Sequence, residues 1–168
     1  MEPDETLGSL LKSSGRKVNR VKKWSNDLQF RLGFTYGDAG YMSGGGFYIG
    51  ASNCNLYNVN DTFSIGFAES LGFITGGFMD ISFIVGPAVG INVKDIVKFQ
   101  FSPGLAMGIW DFWDDGDCYA FSDPFVWFSL DIAAKFLPSK FVSPVAGFRY
   151  KVYAVDLTTG VSLNFGKR

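Results

Sequence analysis

From Asp27 onward, bulky apolar residues occupy every second position. Leu28, Phe30, Leu32, Phe34 and Tyr36 alternate with Gln29, Arg31, Gly33 and Thr35. Phe47, Ile49 and Ala51 alternate with Tyr48, Gly50 and Ser52. Further runs follow at Phe63–Phe73, Met79–Val93, Val97–Ile109, Val126–Phe136, Pro144–Val152 and Leu157–Phe165. A period of two is that of a strand with two unlike faces. Glycine-rich or polar stretches separate the runs, among them Tyr36–Gly46, Asn53–Asp61, Thr75–Gly77, Lys94–Asp95, Trp110–Pro124 and Leu137–Lys140. The pattern predicts eight strands joined as an antiparallel meander. Glu69 falls on the apolar phase of its run, which predicts a bulge or a slip of phase there. Pro87 and Pro103 lack a ladder donor and predict local bulges in the fourth and fifth strands.

Alternation alone leaves two barrels open, one with an apolar inside and one with an apolar outside. The second phase separates them. It is dominated by Gly, Ala and Ser, as in Gly33, Gly50, Gly72, Gly86, Gly90, Ser102, Gly104, Gly108, Gly147, Gly160 and Ser162. A water-exposed barrel surface calls for Lys, Glu and Thr instead. Small residues suit a narrow interior, while Phe, Leu, Ile and Val find no room inside eight strands. The bulky phase therefore faces lipid, and the expected fold class is all-β: an eight-stranded antiparallel up-and-down transmembrane β-barrel. The expectation is that Phe30, Phe34, Phe67, Ile81, Phe83, Phe99, Phe101, Phe128, Phe148 and Leu163 are exposed, with Arg31, Ser82, Gln100, Asp131, Arg149 and Ser162 inside. A soluble lipocalin-like ligand-binding barrel is the reversed arrangement and remains an alternative.

Composition sharpens this picture. The 168 residues include 18 Phe, 21 Gly and no His, and only 18% are charged. Without histidine, the nucleophile–His pairs and His-bound zinc sites are excluded. No spacing of Asp and Glu selects an acid–base pair, so no catalytic residue, metal site or cofactor is assigned and the chain is read as non-enzymatic. Net charge is −1, which points to no nucleic-acid partner. Residues 1–26 are set apart from the barrel at 27–166: they hold six Lys or Arg against three acids. They read as a solvated basic extension, with a short helix as the other reading. The first residues have neither a basic n-region nor an apolar h-region, so no signal peptide is read there; if the protein is exported, Met1 is expected to replace a removed signal. Cys54 and Cys118 fall at opposite ends of the expected barrel and are read as unpaired, with both thiols open to alkylation.

The pattern over residues 27–166 resembles the small eight-stranded bacterial outer-membrane proteins of OmpA, OmpX and OmpW type. The last strand, Val161-Ser162-Leu163-Asn164-Phe165, looks like the aromatic-ended terminal strand that outer-membrane assembly machinery reads, although Gly166-Lys167-Arg168 follow. The resemblance implies a bacterial outer-membrane location, membrane lipid as surroundings and the assembly machinery as a partner in biogenesis. With the amino terminus periplasmic, Tyr36–Gly46 and Trp110–Pro124 become surface loops.

Two groups of residues are candidates for function. Arg31, Asp80, Lys98, Gln100, Asp131, Lys135, Arg149, Lys151 and Asp156 share the inner phase, with Glu69 a further candidate. In a narrow barrel such charges must pair or meet water. They line either a salt-bridged plug or a small channel for small or apolar solutes. The second group lies in the loop after the fifth strand. Asp111, Asp114, Asp115, Asp117 and Asp123 form an acidic patch with Trp110, Trp113 and Tyr119 as aromatic anchors. Its spacing misses the calcium-loop pattern. It reads as an acidic surface loop that is a weak cation site or the contact for an extracellular ligand not identified by sequence.

Overall fold

The computed structural model describes residues 24–38, 43–114 and 117–165, with the backbone alone at 110–125. Eight antiparallel strands close into a barrel in the order of the chain. They are β1 (Trp24–Asp38), β2 (Ser43–Asn58), β3 (Phe63–Gly76), β4 (Phe78–Val93), β5 (Val97–Asp114), β6 (Asp117–Phe136), β7 (Val142–Lys151) and β8 (Ala154–Asn164). β1 closes the barrel on β8, with Phe30 opposite Val161. One end, the base, carries Trp24 and Phe165. The other end, the tip, carries the β5–β6 hairpin.

The strands lean. The register leads from Trp24 through Tyr57, Ile65, Val89, Phe101, Ile132, Phe148 and Leu157, and returns to β1 at Phe34, ten residues further on. A stagger of that size over eight strands tilts them by about 40°. At that tilt each register step from β1 towards β2 and β3 climbs about 3 Å, and each residue along a strand about 2.5 Å.

The apolar phase points outward. Phe30, Phe34, Phe67, Ile81, Phe83, Phe99, Phe128 and Phe148 are all exposed, Phe34 at 75%. Arg31, Ser82, Gln100, Arg149 and Ser162 are buried inside, and the Asp131 side chain is only 12% accessible. This facing is the reverse of a soluble calyx. Phe101 and Leu163 are half-buried, more covered than the alternation predicts. Aromatic pairs mark both edges of the apolar band: Trp24–Tyr57 and Phe141–Phe165 at the base, Phe34–Phe47 towards the tip.

Several local expectations need correction. β1 begins at Trp24, three residues before the expected boundary at 26/27; residues 1–23 lie outside the described residues. Asn53–Asn58 continue β2, because asparagines opposite Leu28, Asn26 and Glu69 still complete the ladder. No bulge occurs at Glu69, whose register holds on both sides. Around Pro87 and Pro103 the β4–β5 ladder is interrupted between Val85↔Leu105 and Val89↔Phe101, without a register shift. Two prolines near each other on adjoining strands remove donors but add no residue. The register shift falls instead between Gly108 and Trp110 on the β5–β6 pair. That pair continues to Asp114 and Asp117, so most of the expected loop 110–124 is a strand hairpin.

The turns follow local chemistry. Lys94 and Asp95 both take positive φ, and Ile96 N–H closes on Val93 C=O at 3.0 Å, a tight hairpin whose hand matches strand twist. Gly76, at φ +143°, leads into the β3–β4 turn; a Cβ there would lie 2.7 Å from Gly46 Cα.

Candidate functional site: the barrel interior

Side chains of the inner phase cross the lumen at three levels. Nearest the base, Asp27 is fully buried and accepts from Lys135 Nζ at 2.5 Å and Gln100 Nε2 at 2.9 Å. Lys98 Nζ stands 3.7 Å from the same carboxylate. Gln29 donates to Gln100 above it. At mid-height, Asp131 bridges two guanidiniums. Arg31 grips it with both Nη atoms, and Arg149 donates through Nε at 3.0 Å and Nη2 at 2.6 Å. Arg149 Nη1 also donates to Tyr48 Oη at 2.9 Å. Towards the tip, Asp80 accepts from Lys151 and from Tyr153 Oη, the latter at 2.8 Å. Asp156 accepts from Thr35 Oγ1 at 2.6 Å and lies 3.7 Å from Lys151 Nζ.

Pairing on this scale follows from the medium. A buried charge without a partner is costly, and removing one member of a pair strands the other. Arg149 and Asp156 face each other directly across β7 and β8, whereas Lys151 reaches Asp156 diagonally. Arg149 is likewise the direct register partner of Asp131 across β6 and β7, while Arg31–Asp131, Lys98–Asp27, Lys135–Asp27 and Lys151–Asp80 span the lumen between strands that are not neighbours.

Apolar groups fill the space near the tip. Tyr48, Ile74, Phe78, Ile84, Trp127 and Tyr153 form one buried cluster, with Trp127 edge-on to Tyr153 at 5.1 Å. Glycines make its room. A Cβ on Gly50 would meet Tyr48 Oη at 2.0 Å, and one on Gly147 would meet Arg31 Nη1 at 2.5 Å. Beside Gln29, Arg31, Gln100 and Asp131 a gap of about 30 Å³ remains, room for about two waters. At the base a polar vestibule of about 540 Å³ opens among Ser25, Asn60, Thr62, Lys94 and Asn164 and reaches Lys98.

All nine inner polar residues expected from sequence lie in this interior, joined in networks. Glu69 does not. It sits half-buried on the outer face of β3 between Phe67 and Leu71, and its Oε1 accepts from Asn53 Nδ2 at 2.9 Å. Strict alternation carries it outward once the bulge is absent. The residues that sequence reading missed are Asp27, Gln29, Thr35, Tyr48 and Tyr153. The first three share the phase of Arg31, so extending that alternation along β1 finds them. Tyr48 shares the phase of Gly50. Tyr153 sits in a turn, where alternation carries no signal. Asp111, Asp114 and Asp117 lie on hairpin strands, as do Asp123, Trp110, Trp113 and Tyr119. Their side chains lie outside the described residues, as does Asp115. Among the described residues Cys54 is a free thiol, and it is buried in the lumen. Closure by the surrounding strands corrects the expectation that it is open to reagents.

Ail of Yersinia pestis, the attachment invasion locus protein, is similar in structure at a TM-score of 0.60 and 13% identity, covering 86% of this chain and 99% of that one. The fold is that of the small eight-stranded outer-membrane barrels. The N-terminal barrel of Pseudomonas aeruginosa OprF is similar at 0.58 and 13% identity, over 86% of this chain and 98% of that domain. Neisserial surface protein A is similar at 0.55 and 15% identity, over 84% and 96%. No protein-family profile and no curated protein sequence matches the chain.

Proposed function

We propose that the chain is a non-enzymatic integral barrel of the bacterial outer membrane, with an occluded lumen, that serves envelope structure or surface interaction. The observation that carries this reading is the contrast of faces. The outside is an apolar band edged by aromatic residues, as a bilayer requires, interrupted on β1–β3 by Asn26, Asn53, Asn55 and Glu69. The inside is crossed at three levels by buried ion pairs, and a buried cluster of aromatic and aliphatic side chains sits near the tip. In this reading the amino terminus is periplasmic, the β5–β6 hairpin projects from the cell surface, and assembly machinery reads β8 with Phe165.

The hairpin is the surface element with the most distinctive chemistry. Its acidic and aromatic sequence suits a cationic partner. Ail has been solved with the heparin analogue sucrose octasulfate; a polyanion of that kind is the wrong sign for this hairpin.

Planar-bilayer recording tests the closed lumen. The wild type is expected to show no steady conductance, and a Tyr48→Gly/Arg149→Gly variant is expected to leak. Stable wild-type openings would overturn the occluded reading in favour of the small-channel alternative, for which the vestibule ending at Lys98 is the specific support.

A further inference from the structure

The base vestibule carries charges of opposite sign at its two ends. Its floor is the lowest layer of the lumen, where Lys98 and Lys135 share the single carboxylate of Asp27. That carboxylate is already engaged by Lys135 Nζ at 2.5 Å and Gln100 Nε2 at 2.9 Å. Lys98 Nζ is left with Ser25 Oγ at 3.4 Å and Asp27 Oδ2 at 3.7 Å, both longer than an ordinary N–H···O bond. Lys98 is nonetheless only 6% exposed, and it lines the vestibule beside Ser25. A buried ammonium without a close partner is costly. The mouth reverses the sign. Among the described residues that line it, the exposed Asp61 and Asp95 outnumber Lys94. Asp95 precedes Lys98 on the way into β5 and lies roughly 7–8 Å lower by the rise and tilt of the strands.

We infer that the vestibule is a binding site for a small zwitterion with a carboxylate at one end and an ammonium at the other. The ligand's carboxylate takes Lys98 at the floor and gives it the close partner that Asp27 does not. The ligand's ammonium lies at the mouth with Asp61 and Asp95. Other ligand classes each meet one wrong end. An anion must pass the surplus carboxylate of the mouth, and a cation meets the surplus ammonium of the floor. An apolar solute finds a lining of hydroxyls, amides and charges. The volume of about 540 Å³ falls within the range of small-molecule sites, ~300–1,000 Å³. In the orientation proposed above the mouth opens to the periplasm, but the site is made by the barrel floor whichever side it faces.

Amide NMR titration of the full chain in nonionic maltoside micelles, at constant ionic strength, tests this with δ-aminovalerate, valerate and pentylamine. δ-Aminovalerate, whose charges lie a comparable distance apart, is expected to shift the Lys98 and Ser25 amides saturably. Valerate is expected to need about tenfold more or beyond, and pentylamine to give no saturation. Lys98→Met should raise the Kd for δ-aminovalerate about tenfold or more. That variant leaves Asp27 with Lys135 and Gln100, so the floor keeps one ammonium for one carboxylate, and heat-modifiable migration checks its folding. Asp61→Asn/Asp95→Asn, at exposed positions, should weaken δ-aminovalerate to the level of valerate and leave valerate no weaker; it carries the test alone should Lys98→Met not fold. No saturation of the wild type by δ-aminovalerate would overturn the proposal, whatever else fills the vestibule. So would binding that Lys98→Met or the double variant leaves intact. Valerate binding as tightly as δ-aminovalerate would also overturn it, since the vestibule would then be a site for anions alone. The membrane reading fails separately, if the chain folds without detergent.

Discussion

Asp131 and Glu69 are carboxylates at nearly the same height on opposite sides of one sheet. Three register steps from Glu69 through Val85 and Leu105 reach Phe128. They climb about 9 Å, and the three residues back to Asp131 descend about 7–8 Å. Asp131 points inward and meets two guanidiniums. Glu69 points outward and meets a single amide. The same side-chain chemistry thus has a complete set of partners on one side of the wall and an incomplete set on the other. The inner surface is short of volume, so long side chains from facing strands reach one another. The outer surface diverges, and a side chain there reaches only its own strand and the next, unless another molecule supplies the rest.

The sharpest way to break this contrast is to take the partner from inside. Asp131→Asn leaves Arg31 buried with no counter-charge and Arg149 with only Asp156 across the β7–β8 pair, and should cost about 3–5 kcal/mol. Urea unfolding of the reconstituted barrel, followed by heat-modifiable migration, measures it; a loss below about 1 kcal/mol would show that the mid-height bridge does not hold the interior. Gly50→Val tests whether volume sets the inner partners. Its side chain must displace Tyr48, which a Cβ at Gly50 would already approach to 2.0 Å. The expected loss is about 1–3 kcal/mol, and a crystal structure should show the Arg149–Tyr48 hydrogen bond gone.

On the outer side the sign should reverse. Glu69→Leu should stabilise the isolated barrel by about 1 kcal/mol in the same assay, because it exchanges a costly lipid-facing carboxyl for an apolar group. Destabilisation would mean that the Asn53–Glu69 bond holds the wall. The smallest effect concerns access. Cys54 is buried beside the lower ion pairs, so maleimide should modify it slowly in the folded barrel and fast in urea. Equal rates would show a lumen open to reagents.

The facing of the strands was legible in the chain because a period of two is a local property. Phe30, Arg31 and Leu32 declare their sides without reference to any other strand. The same alternation placed Lys98, Lys135, Arg149 and Lys151 inside. It also places Glu69 outside, and the expectation of a bulge there arose from assuming that a lipid-facing phase admits no carboxylate. Asn53–Asn58 and Trp110–Pro124 read as loops because their residues are polar or acidic, yet neighbouring strands complete their ladders. Composition reports what a residue prefers alone; a paired backbone overrides that preference.

The period, the strand count and the choice of side chains that meet each medium are therefore set within the chain, by local stereochemistry and side-chain volume. Partner choice belonged to the closed barrel. That Asp131 takes Arg31 from 100 residues away, that Asp27 joins Lys135, and that Lys151 meets Asp80 depends on the ten-residue stagger. The stagger fixes the height at which distant strands present their inner residues. No single strand encodes it, because it is the sum of eight pairings made by the whole sheet as it closes.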